Sequence, residues 1–147
     1  MGLKDQLTAD MKEAMRNKDK VALTTIRMLK ASIQNEEIAQ GHDLSAEEEL
    51  TVLSREVKQR RDSLAEFEKA GRDDLCDQLK EEIAVVQRYM PEQLSYDELF
   101  AIVKEVIQEV GASQMSDFGK VMGAVMPKVK GKADGNEVNA IVKEQLK

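Results

Sequence analysis

The 147-residue chain has no tryptophan, three phenylalanines, two tyrosines, two prolines, one cysteine and one histidine. Each scarcity removes a class of protein. A single cysteine, Cys76, cannot form an internal disulfide, so a disulfide-stapled secreted scaffold is excluded and a reduced thiol is expected. One cysteine and one histidine cannot assemble a structural zinc site. Two prolines and few aromatics argue against a loop-rich or β-rich fold, because aromatic and β-branched residues are what pleated sheets favour. No apolar run reaches the roughly 20 residues needed to span a bilayer, so no membrane partner is expected. The opening stretch MGLKDQLTADMKEAM carries acids where an export signal would carry an apolar run, and a cytoplasmic location follows as the expectation.

What is present reads as helix. Hydrophobic residues make up 41% of the chain and charged residues 34%, enough of the former to exclude a disordered chain. Leu, Met, Ala, Glu, Lys and Gln, the good helix formers, dominate. Leu3, Leu7, Met11, Met15 and then Ala22, Ile26, Leu29, Ile33 keep helical spacing. They predict two helices parted near Arg16 to Lys20, with Asp19 capping the second and Gly41 ending it. Ser45 and Glu48 form a capping box for a long third helix running toward Gly71. A fourth starts at Asp73 or Asp74 and stops at Pro91. Third and fourth read as an antiparallel hairpin. The run from Arg55 to Asp62 reads as an ion-paired, solvated helix face, although Arg60 interrupts the third helix's apolar stripe.

Pro91 followed by the Ser95 to Glu98 capping box marks the best boundary in the chain, giving units 1–91 and 92–147. The second unit is expected to hold three short helices: one ending at Gly111, one from Ser116 halting at Pro127, and one starting at Asp134. The fold class is therefore all-α, a four-helix unit with a long hairpin followed by a three-helix unit.

Little in this chain points to catalysis. His42 lies between Gly41 and Asp43 in an expected loop and reads as a turn residue. Glu47, Glu48 and Glu49 sit at a helix N-terminus, where acids oppose the macrodipole. Neither a dinucleotide fingerprint nor a phosphate-binding loop occurs. No catalytic residue, metal ligand or cofactor is assigned.

One stretch differs from the rest. Residues 118 to 135 read FGKVMGAVMPKVKGKADG. From Phe118 to Ala133 they hold Lys120, Lys128, Lys130 and Lys132 without an acid, inside a chain of net charge -6. A globally acidic protein does not coat nucleic acid indiscriminately, so any such contact must be local. Gly119 and Gly123 fall within an expected helix, where each costs about 1 kcal/mol relative to alanine. Such glycines permit close approach, either of another helix of the same unit or of a phosphate backbone. Gly131 and Gly135 lie in the basic loop leading to the last helix, whose N-terminus is a natural anion site. Lysines and backbone of this kind would supply contact without base readout.

The words LTTIRMLKASIQNEE, ELTVLSREVKQRRDSLAEF, YMPEQLS and GKVMGAVMPKVKGKADG resemble the bacterial YqeY-like family from end to end. Residues from about 92 to 147 also resemble the tail domain of GatB, a subunit of the glutamine-dependent amidotransferase acting on Glu-tRNA(Gln) or Asp-tRNA(Asn). In that family the tail contacts transfer RNA. The resemblance implies a tRNA-binding accessory module, acting alone or on an amidotransferase complex, with Lys120, Lys128, Lys130 and Lys132 on phosphates and Gly119, Gly123, Gly131 and Gly135 allowing backbone approach. GatB's kinase-like cradle and the separate glutaminase subunit have no counterpart here, so carbon-nitrogen ligase activity with glutamine as amido-N-donor would be non-autonomous at most. A protein–protein adaptor whose hairpin docks on a partner helix is the alternative.

Overall fold

The computed structural model describes residues 2–146. Among them are seven α-helices, one 3-10 turn and no strand. The helices are α1 (Leu3–Arg16), α2 (Lys20–Gln40), α3 (Ala46–Lys69), α4 (Asp73–Gln87), α5 (Tyr96–Val110), α6 (Phe118–Val129) and α7 (Gly135–Gln145). Internal contacts divide the chain into Met1–Pro91 and Glu92–Lys147.

Local chemistry sets several helix ends. The Asp19 carboxylate accepts the Ala22 N–H at 3.1 Å and starts α2, satisfying one of the donors a helix leaves orphaned. Gly41 ends it at φ +77°, a left-handed conformation that glycine adopts without steric cost. Ser45 and Glu48 form a complete capping box at the head of α3, and Ser95 and Glu98 form another at the head of α5. Loss of the second should be measurable: Ser95→Ala is expected to lower stability by about 1 kcal/mol in urea unfolding, since it orphans the Glu98 N–H.

Three ends differ from the expectation. α4 starts at Asp73 as expected but gives way to turns at Arg88 rather than running to Pro91. α6 starts at Phe118 and not at Ser116, which lies in the 3-10 turn Met115–Asp117. Pro127 does not halt α6, which continues to Val129. The reason is burial. Val121, Val125 and Val129 recur at four-residue steps with no exposed surface. Burying Val129 returns about 1.5–3 kcal/mol, which offsets much of the roughly 3 kcal/mol cost of proline in a helix.

In the first unit, Leu7, Ile26, Leu29, Ile33, Leu53, Val57 and Val86 build one apolar core across all four helices. α3 and α4, joined by a turn at Ala70–Arg72, fold back on each other as the hairpin. The second unit has its own core, in which Leu99, Val103 and Val106 of α5 meet Val121 and Val125 of α6 and Val138, Ile141 and Val142 of α7.

Arg60, which the sequence places on a solvated face, is instead 6% exposed. Its Nη1 donates to Glu56 Oε2 at 2.7 Å and its Nε to Glu82 Oε1 at 3.2 Å. Ser32 of α2 donates to the other Glu56 oxygen at 2.6 Å. One guanidinium therefore ties α3 to α4, and through Glu56 to α2, beneath the surface.

Candidate nucleic-acid interface

The basic stretch forms α6 and the loop after it. Helical periodicity places Val121, Val125 and Val129 against the core and turns Gly119, Lys120, Gly123, Pro127 and Lys128 outward, all of them exposed. A methyl group added at Gly119 or Gly123 would meet no atom within 4 Å. Of the two readings of these glycines, close packing by another helix of the unit is thus ruled out. Their edge is open.

Gly131 and Gly135 serve other purposes. Gly131 is buried and takes φ +76° just past the end of α6, where it turns the chain. Its carbonyl accepts the Gln93 side-chain amide at 2.8 Å, and the Lys132 carbonyl accepts the Leu94 N–H at 2.8 Å. The loop is thereby pinned by the segment that enters the unit. A methyl at Gly135 would come no nearer than 4.0 Å to Met126, an ordinary contact, so close approach does not explain that glycine.

The four lysines form a group of three and an outlier. Lys128 is in the last turn of α6, not in the loop as expected. Lys130 caps that helix and Lys132 follows in the turn, both exposed. Lys120 lies eight residues before Lys128, about 12 Å along the axis at 1.5 Å per residue. The stretch is free of acid in sequence but not in space. Glu109 of α5 pairs with Lys128 at 3.2 Å. The Asp117 carboxyl is held below its ordinary range by the Ser113 and Gln114 N–H groups, with a smaller contribution from Lys120. The Lys128 pair is about half exposed on both sides and so costs little to exchange for another anion.

At α7 the expected anion site already has an anion. The Asp134 carboxylate accepts the Asn136 N–H at 3.4 Å, which spends one of the donors a phosphate would use.

Elsewhere the reactive residues are placed for other roles. His42 is exposed and its Nδ1 lies 2.7 Å from the Asp43 carbonyl. Cys76 is buried, and burial pushes its thiol above the ordinary value. Tyr89 donates to Asp10 at 2.5 Å and its hydroxyl is pushed up, first by burial and then by that bond. Among the described residues no group of three or more His, Cys, Asp or Glu side chains is placed to hold a metal ion, and no helix is long and apolar enough to cross a membrane.

These features define a two-unit helical protein whose second unit presents an exposed, glycine-edged helix and a pinned lysine turn. The chain belongs to the YqeY-like protein family, whose profile matches residues 4–146. A relative from Pyrenophora tritici-repentis (strain Pt-1C-BFP), named "Altered inheritance of mitochondria protein 41, mitochondrial", is 32% identical over 134 residues, covering 90% of this chain and 74% of its own length. Proteins of the same name from Lachancea thermotolerans and Kluyveromyces lactis are 37% and 33% identical, covering 75% and 82% of this chain and 60% and 70% of their own lengths.

Those names overturn the cytoplasmic expectation, because the relatives are named as mitochondrial. Acids in an opening stretch speak only against an apolar export signal, and organelle transit peptides are amphipathic and Arg-rich instead.

Proposed function

We propose that the second unit is an RNA-phosphate-binding module of the transfer-RNA type, an accessory related to the GatB tail and without amide-forming chemistry of its own. One observation carries this reading: Gly119 and Gly123 stand on an exposed helix face where nothing outside their own helix comes within 4 Å of an added methyl. Gly123, inside α6, costs about 1 kcal/mol relative to alanine, and Gly119, in its first turn, adds up to about as much. Approach of an external backbone gives that cost a purpose. The lysine turn beyond the same face supplies the charge, and the Gln93 and Leu94 bonds hold its backbone in place.

Gly123 has a second local use, because proline crowds the carbonyl four residues earlier and Pro127 places that carbonyl at Gly123. Gly119 is therefore the cleaner test. Gly119→Ala is expected to raise the melting temperature, with up to about 1 kcal/mol of added helix stability, and at the same time to weaken transfer-RNA binding in a filter or fluorescence assay. A variant that gains stability and keeps full affinity would show that nothing approaches this edge. The adaptor reading makes the opposite prediction, a partner captured on the hairpin with no dependence on Gly119.

A further inference from the structure

A cleft of about 310 Å3 lies between α2 and α4 of the first unit. Lys20, Val21, Thr25 and Met28 line it from α2, and Gln78 and Glu82 from α4. The ion cluster at the cleft's edge is incomplete. Arg60 carries one positive charge and is shared by two carboxylates, Glu56 and Glu82. Glu56 is saturated by Arg60 and Ser32, whereas the second oxygen of Glu82 receives only the Gln78 amide at 3.4 Å. The surplus negative charge therefore sits on the carboxylate that lines the cleft.

The opposite charge stands at the other end. Met28 Sδ lies 3.8 Å from Arg60 Nη2, which puts Met28 at the Glu82 end of the cleft. Lys20 is eight residues earlier on α2, about 12 Å along its axis. It is exposed and pairs with no described residue. Thr25 falls between the two in register, and Val21 and the half-exposed Met28 supply apolar wall.

We propose that this cleft binds a small extended zwitterion of the ω-amino-acid class, in which several methylenes separate an ammonium from a carboxylate. The ammonium takes the spare oxygen of Glu82, the carboxylate faces Lys20, and the chain lies along Val21 and Met28. A plain amine or a plain carboxylate leaves one end of the cleft unmatched.

The test is an amide NMR titration of the full chain with 6-aminohexanoate, with hexylamine and hexanoate as half-ligands. Saturable shifts at Thr25, Met28, Gln78 and Glu82 are expected with the zwitterion, and binding at least about tenfold weaker, or about 1.4 kcal/mol, with either half-ligand. Lys20→Gln, an exposed change, should weaken the zwitterion about tenfold as well. No saturable shift at these residues, equal affinity for hexylamine, or a Lys20→Gln variant that binds unchanged would overturn the proposal.

Discussion

Arg60→Ala is expected to destabilise the first unit by about 3–5 kcal/mol, the usual cost of removing one partner from a buried ion pair. Among the described residues the guanidinium is the only positive charge bonded to Glu56 and Glu82, whose side chains are 12% and 16% exposed. Without it, two carboxylates face each other across the space it filled. In a unit of this size such a loss lowers the melting temperature by more than about 12 °C, at 4–8 °C per kcal/mol. The comparison that isolates the cause is the triple variant Arg60→Met, Glu56→Gln, Glu82→Gln. Once no uncompensated charge remains, most of the stability should return, since apolar or neutral replacement of a whole buried cluster is often neutral. Urea unfolding of the two variants checks this. Equal losses in both would mean that Arg60 contributes through packing and not through charge.

Arg60 also shows where sequence reading stops. Helix ends were legible because their determinants are local: Asp19 and Ala22, Ser45 and Glu48, Ser95 and Glu98 all act within three positions. The partners of Arg60 are not local. Glu82 is 22 positions away and Met28 is 32, so a run rich in both charges looked like any solvated face. Pro127 misled for a related reason. A proline rule is written for the helix alone, and the burial of Val129 that carries α6 past it depends on α5 and α7. The candidate interface was half legible in the same sense. Its lysines and glycines stand in one contiguous word, but whether Gly119 and Gly123 met a neighbour required the packed unit, and so did Glu109, which reaches Lys128 from 19 positions back. The compartment was least legible, because an address is read by receptors and leaves no mark on the pattern of a folded core.

Replacing Lys128, Lys130 and Lys132 together with glutamine should leave both cores intact and weaken transfer-RNA binding by on the order of a hundredfold or more near 0.1 M salt, where each phosphate contact's counterion term is worth roughly tenfold. All three side chains are exposed, and the fold uses this segment mainly through its backbone, at the carbonyls of Gly131 and Lys132. The loss should be even across RNA sequences, because phosphate contacts carry no base information. The slope of log K against log salt should flatten by about 2–3, at roughly 0.7 per single-strand contact and 0.9 per duplex contact. Glu109→Gln is the complementary change. It frees Lys128 from its 3.2 Å pair and should tighten binding slightly, since an exposed pair of this kind is worth no more than about 1 kcal/mol. Unchanged affinity and salt slope in the triple variant would leave these lysines as a solvated turn, and the open edge of α6 would then have to be explained by a partner other than RNA.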